Sequence, residues 1–409
     1  MRLGSSGWLL PRLAIMLATA WLMPSLVAGQ TTVTTQPTGD PQRSKLPPTS
    51  DAKGLSQVDL FVAGQDGYHT YRIPSLLVSP RGTVLAFCEG RKSAGGDSGD
   101  IDLVMRRSLD GGTTWGPLQV IADDGPNTIG NPCPVADRTT GTIWMLLTRN
   151  NGQDKEPQIL NETSRESRSV WVMKSRDEGR TWSPRVDITS QVKRPDWTWY
   201  ATGPGVSIQL EGGRLVVPCD HFVAKSKLSR SHIIYSDDHG TTWKIGGVAG
   251  ERVNECQVAE LGNRTLLLNM RHHPPRRGEG RAISTSNDGG ITWSPPLIDE
   301  AQVEPGCQAS LISLRDDQGR LSNQLLFANP ASLKREQMTV RASDDGGRSW
   351  PRSLLLHKGP AAYSCLAKLA GPDAGCLYER GERTPYERIT FARFNLDALT
   401  ATGPRRAGN

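Results

Sequence analysis

The chain has 409 residues, 36% of them hydrophobic, and a formal net charge of +6. That excess is too mild and too evenly mixed with acids to argue for nucleic acid, though it suits an anionic small substrate. Its length would ordinarily mean two or three domains, unless one closed repeat architecture absorbs it.

In chain order, Met1 to Gly29 reads as a secretory leader. Arg2 and Arg12 open it, the apolar run Leu13–Met23 follows, and small residues stand near Val27-Ala-Gly29. The run is too short for a membrane span, and cleavage near Gly29 would leave the chain at +4, secreted or periplasmic. Residues 30–56, rich in Thr, Gln, Pro and Ser, read as a disordered linker. No later stretch could cross a bilayer, so no stable membrane insertion is expected.

From Val58 the pattern is β. Tyr71-Arg-Ile-Pro74 follows the loop Gly64–His69, Val84–Cys88 is the next strand, and Gly95-Gly-Asp-Ser-Gly-Asp100 is a flexible polar loop. Then comes Ser108-Leu-Asp-Gly-Gly-Thr-Thr-Trp115, the first of five copies of S-x-D-x-G-x-T/S-W. The others are Ser175–Trp182, Ser236–Trp243, Ser286–Trp293 and Ser343–Trp350. Each follows a short strand-like run. Ser and Asp oxygens can accept backbone N–H bonds, Gly supplies an angle other residues resist, and Trp covers the turn. The box is therefore a fold staple. Its spacings of 67, 61, 50 and 57 residues fit one blade of about four antiparallel strands. Residues 57–400 hold about six such periods, so the expected fold is all-β, a six-bladed β-propeller with the box degenerate or absent in one blade, followed by a tail at 401–409. Ring closure should pair the first strand, near Asp59–Val62, with the final blade.

The seven cysteines are dispersed, odd in number and without C-x-x-C, so at least one thiol should stay free. No zinc motif is present, and the Gly95–Asp100 loop lacks the ligand order of an EF-hand. No metal and no cofactor are expected. The pair His272-His273 reads as isolated and exposed. Asn161-Glu-Thr163 and Asn263-Arg-Thr265 are glycosylation sequons that matter only in a eukaryotic host.

The five boxes together with Tyr71-Arg-Ile-Pro74 resemble the exo-α-sialidase (neuraminidase) superfamily, over about residues 58–396. Phe87-Cys-Glu-Gly-Arg91, Asn131-Pro-Cys-Pro134, Glu255-Cys-Gln-Val-Ala-Glu260, Ala362-Tyr-Ser364 and Leu377-Tyr-Glu379 extend the match, several of them in the manner of animal cytosolic sialidases. The resemblance implies that Arg72, Arg271 and Arg341 form an arginine triad for the sialic acid carboxylate, with Glu379 bracing the first. Planar guanidinium groups suit that task because they bind carboxylates through paired, charge-assisted bonds.

It further implies Tyr363 as nucleophile with Glu255 as its base, since a free phenol, with a pKa of roughly 10, is nearly inert alone. Glu260 and Glu251 are rivals for the base. Asp97 would be the acid/base, with Asp100 and Asp102 as rivals, and Arg91 and Asn131 would recognise the acyl or 4-position side of the sugar. The implied substrates are sialylated glycans, on glycoproteins, glycolipids or oligosaccharides, cleaved by a monomer without nucleic-acid partners. A trans-sialidase and a non-catalytic glycan-binding propeller are the alternatives. One departure stands out. After Val216-Val-Pro218 the chain has Cys219-Asp-His221, where the animal enzymes have an aromatic pair lining the substrate pocket.

Overall fold

A computed structural model describes residues 49–52, 54–276, 278–316 and 318–401. The expected leader, most of the linker and the tail past 401 lie outside the described residues. The remainder is almost entirely strand, arranged as six four-stranded antiparallel blades.

Blade 1 runs Thr70–Val78, Val84–Arg91, Ile101–Ser108 and Gln119–Ala122, from the axis outward. Blade 2 is Thr128–Ala136, Ile143–Asn150, Ser169–Ser175 and Val186–Asp187. In blade 3 the inner edge is split into Trp197–Thr202 and Ile208–Gln209, followed by Leu215–Val223, Ser229–Ser236 and Lys244–Ala249. Blade 4 is Val253–Glu260, Leu266–His272, Arg281–Ser286 and Leu297–Asp299. The long strand Arg352–Lys368 serves two blades. Its first part is the outer strand of blade 5, after Ser310–Arg315, Leu321–Pro330 and Glu336–Ser343; its second part is the inner strand of blade 6, beside Asp373–Arg380 and Arg388–Asn395.

Blade 6 is completed from the other end of the chain. Leu55–Val62 pairs antiparallel with Arg388–Asn395, Asp59 opposite Thr390 and Val62 opposite Arg388, so the ring closes through the strand the sequence pointed to. Thr49–Ala52 pairs onto that strand, so ordered backbone begins ahead of residue 57, inside the stretch read as linker.

Inner strands such as Thr70–Val78 are buried along nearly their whole length, whereas the outer Val186–Asp187 is exposed. The core therefore lies between blades, and the boxes lock it. In all five, the Ser hydroxyl donates to the Asp Oδ1 at 2.7–2.8 Å and accepts the Gly N–H at 2.8–2.9 Å. The Asp carboxylate also takes the backbone N–H of the seventh residue at 2.8–3.0 Å. Three box tryptophans reach the preceding blade: Trp115 meets Phe391 at 5.0 Å, Trp182 meets Phe87 at 6.0 Å and Trp243 meets Trp144 at 6.4 Å between ring centroids. Gly112 is required twice over. Its φ is +90°, and a Cβ there would stand 2.3 Å from the Phe391 ring. Blade 6 is the one without a box.

All seven cysteines are buried and unbridged, where the sequence required only that at least one thiol stay free. Among the described residues no helix is long and apolar enough to cross a membrane.

Candidate active site

Each box sits at the C-terminal end of its blade's third strand. Because the strands alternate in direction, the opposite rim collects three other places: the starts of inner strands, the ends of second strands, and the loops leading into third strands. On that rim lies a cavity of about 310 Å³, lined mostly by polar groups.

Seven of the nine expected residues line it: Arg72, Arg91, Asp97, Asn131, Glu255, Arg271 and Tyr363. The eighth, Glu379, is fully buried directly behind. Its Oε1 accepts Arg72 Nε at 2.7 Å and the Ile73 N–H at 3.0 Å, while Oε2 accepts the Tyr363 N–H at 3.0 Å. One carboxylate thus ties the first arginine to the strand carrying the tyrosine. Local backbone helps aim Arg72. The pairing register shifts between Arg72 and Ser75, and Ile73 takes φ 61°, a conformation a β-branched residue adopts only when its surroundings impose it.

The ninth, Arg341, is a correction. It lies on Glu336–Ser343 only two residues before a box and does not line the cavity; its Nη1 donates to Asn329 Oδ1 at 3.2 Å. The arginine that joins Arg72 and Arg271 around Tyr363 is instead Arg335, in the loop just before that strand. Six residues of extended chain span roughly 20 Å, so a guanidinium beside the box cannot reach the far rim, and one ahead of the strand's start can. Arg335 donates to the Tyr386 hydroxyl at 2.8 Å and to the Gly306 carbonyl at 2.9 Å, and among the described residues no carboxylate pairs with it.

The guanidinium of Arg72 lies 5.1 Å from the Tyr363 ring centroid and that of Arg335 lies 5.5 Å from it. The Tyr363 hydroxyl donates to Glu255 Oε1 and accepts from Arg271 Nη1 at 3.2 Å; Arg271 also pairs with Glu255 Oε2. Burial and the Glu255 charge push the Tyr363 phenol well above its ordinary value, with Arg271 and Arg335 pulling the other way. For Glu255, burial raises the carboxyl, but Arg271 and the Tyr363 hydroxyl outweigh it and the net shift is downward. The proton therefore rests on the phenol, facing an ionised acceptor.

Asp97, in the loop between the second and third strands of blade 1, pairs with Arg91 at 2.7 Å while its side chain stays 62% exposed. Partial burial raises its carboxyl, but Arg91 first and then Arg72 hold it below the usual range. Its rivals are engaged elsewhere: Asp102 accepts the Tyr68 hydroxyl at 2.6 Å, and Asp100 pairs with Lys92 at 2.8 Å. The rivals of Glu255 are also off the cavity. Glu260 accepts the Glu211 N–H and Glu251 pairs with Arg230. Arg91 is buried, held by Glu89 at 2.6 Å and the Gly95 carbonyl at 2.6 Å. Asn131 accepts Arg168 Nη2 at 2.7 Å.

The His272-His273 reading is overturned: His272 is buried and His273 lines the cavity, because the end of a second strand belongs to this rim. Sequence reasoning also missed Arg335, Arg168, Glu156 and Trp199, whereas Asp220 belongs to the Cys219-Asp-His221 stretch that the resemblance set beside the pocket. A signal existed for two of them. Arg168 and Arg335 stand seven and eight residues before a box serine, immediately ahead of a third strand. Among the described residues no three His, Cys, Asp or Glu side chains are grouped to hold a metal ion.

Comparison with known proteins places this geometry in context. Residues 82–376 match the family described as BNR repeat-like domain. A sialidase of Bacteroides fragilis is 34% identical over 340 residues, covering 78% of this chain, which in turn spans 61% of that relative's length. Sialidase-3 of Mus musculus is 32% identical over 401 residues, covering 82% of this chain and 93% of its own. Among solved structures, a Hadza microbial sialidase superposes with a TM-score of 0.75 at 34% identity, over 84% of this chain and 69% of that one.

Proposed function

This chain belongs to the sialidase family, and from that premise we propose that it is an exo-α-sialidase, removing terminal α-linked sialic acids with retention through a tyrosyl-linked intermediate. The observation that carries the proposal is the Tyr363–Glu255 pair set among Arg72, Arg271 and Arg335.

Sialic acid bears its carboxylate on the reacting carbon. Arg72 and Arg335 face it with guanidinium groups, one braced by Glu379 and the other free of carboxylate partners among the described residues. With the carboxylate held, Tyr363 attacks as Glu255 takes the phenolic proton. A neutral phenol approaches where a carboxylate nucleophile would be repelled by the substrate's own charge, which is why tyrosine replaces the usual acid in this chemistry. Asp97 donates a proton to the departing glycosidic oxygen and later activates water. Against burial, Arg91 and after it Arg72 hold the Asp97 carboxyl low, and a bound substrate carboxylate offsets the Arg72 share of that pull. The leader at 1–29 would deliver the enzyme outside the cytoplasm.

Proton NMR of the first-formed sugar tests the reading. Release of fluorophore from a methylumbelliferyl sialoside with α-sialic acid appearing first is expected; β-sialic acid first, or no release, overturns it.

A further inference from the structure

The loop that carries Asp97 is fastened to the neighbouring blade by a residue the proposed reaction does not use. Asp97 sits in residues 92–100, between Val84–Arg91 and Ile101–Ser108, where no ladder bonds fix the backbone. An acid must nevertheless stand within hydrogen-bond reach of the oxygen it protonates. Two fastenings lie within blade 1. At the base of the loop the Lys92 N–H donates to the Asp100 carbonyl at 3.1 Å, and Lys92 Nζ pairs with the Asp100 carboxylate at 2.8 Å. Nearer its tip, Arg91 donates to the Gly95 carbonyl at 2.6 Å and pairs with Asp97 at 2.7 Å.

The third fastening comes from blade 2. Thr128, buried at the start of Thr128–Ala136, accepts the Gly99 N–H at 3.1 Å and donates to the Gly99 carbonyl at 2.9 Å. One hydroxyl thus grips both backbone groups of a loop residue two positions from Asp97. Alongside, Ile101 pairs with Thr128 in the one parallel contact among the described residues, and its N–H donates to the Asn127 carbonyl at 3.2 Å. Gly152 packs against the same spot. A Cβ there would stand 3.0 Å from the Gly99 carbonyl oxygen.

The fastenings differ in what becomes of them during turnover. To act as an acid Asp97 must hold a proton, and its pair with Arg91 then loses the charge on one side. The Thr128 bonds join neutral groups, so the protonation of Asp97 leaves them unchanged. Lys92 secures the base of the loop at Asp100, one residue beyond Gly99. We propose that Thr128 is a positioning residue for the acid/base: its grip on Gly99 keeps Asp97 aimed at the glycosidic oxygen while Asp97 carries the proton it delivers. The proposal rests on the reading of Asp97 as that acid.

The leaving group supplies the test, because a phenol departs almost unaided whereas a sugar hydroxyl needs the proton. Thr128→Val keeps the shape and removes both bonds. Its kcat/KM should fall about tenfold or more on sialyllactose but no more than about threefold on a methylumbelliferyl sialoside, the mark of a misaimed acid. Thr128→Ser, which restores the hydroxyl, should recover most of the loss; if Thr128→Val does not fold, Thr128→Ala serves for the same comparison. Equal losses on the two substrates, no loss on either, or a serine variant as poor as the valine one overturns the proposal. Asp97→Asn measured beside them separates it from the reading beneath it. A leaving-group split in Asp97→Asn but not in Thr128→Val sinks the positioning role alone; no split in Asp97→Asn sinks the acid assignment and the positioning role with it.

Discussion

The two rims of the propeller are built on opposite plans. At one, the same eight-residue box occurs five times and makes the same hydrogen bonds each time. At the other, no two blades supply the same set of groups: Arg72 and Asp97 from blade 1, Asn131 and Arg168 from blade 2, Asp220 from blade 3, Glu255 and Arg271 from blade 4, Arg335 from blade 5 and Tyr363 from blade 6. Repetition holds the ring, and its fixity lets the other rim be irregular. A closed ring of blades locked on their neighbours by Trp115, Trp182 and Trp243 tolerates three clustered cations, because their repulsion works against a rigid frame and is offset by Glu379 and Glu255.

Substitutions at the two rims should therefore separate activity from stability. The largest effect is expected at Tyr363. Tyr363→Phe keeps the ring and loses the nucleophile, so kcat on an aryl sialoside should fall by about 10³-fold or more while the melting temperature and the affinity for free sialic acid hardly move. Near-normal turnover in that variant would remove the tyrosine from the mechanism.

Next comes the pair that distinguishes the rims within one blade. Arg335→Ala should lower kcat/KM by about 100-fold, the scale of a lost charge-assisted contact to a carboxylate. Arg341→Ala, two residues from a box, should change kcat/KM by no more than about threefold. The reverse ranking, measured on the same substrate, would return Arg341 to the site and contradict the cavity described above.

The smallest effect belongs to the boxes and should be confined to stability. Asp177→Ala removes an acceptor of Ser175, Thr181 and the Thr181 N–H, and should lower the melting temperature by about 2–5 °C with kcat unchanged. The pH dependence follows from the same bonds. Burial raises the Asp177 carboxyl, but the combined hydrogen bonds from Thr181 and Ser175 hold it at about 2, and Asp288 and Asp345 are held at about 2 in the same way. A depressed carboxyl contributes its stability fully above the unfolded value near 4 and loses it as pH falls through 2. Melting temperatures of parent and Asp177→Ala should thus converge between pH 4 and pH 2; a gap that stays constant across that window would assign the effect to packing instead.

How much of this was legible beforehand depends on how far apart the interacting groups lie in the chain. The box is satisfied within eight residues, so its turn chemistry, its period and hence the blade count can be read from letters alone. Arg72 was reached through resemblance, on the motif Tyr71-Arg-Ile-Pro74, and the backbone distortion at Ile73 that helps aim it shows only in the fold. Glu255 and Tyr363 were reached through resemblance, and their hydrogen bond, 108 positions apart in the chain, exists only once the ring closes.

Arg341 and Arg335 mark where sequence reading stops. Both are arginines near a box, and their different offsets from it gain meaning only once it is known which end of the strand faces the cavity. That is decided by the alternation of strand direction within a blade, which puts the loop before each third strand on the catalytic rim and the box on the other. Arg168 shares the position of Arg335 just ahead of a third strand, and Asp220 lies in the Cys219-Asp-His221 stretch that the resemblance set beside the pocket. Only the packed structure shows both buried, with Arg168 held by Asn131 and Trp199. The sequence by itself determined the repeat, the closure and the kinds of groups available for chemistry, because those rest on local hydrogen bonding and side-chain type. The tertiary structure alone decided which of those groups meet, because proximity across six blades is a property of the closed ring.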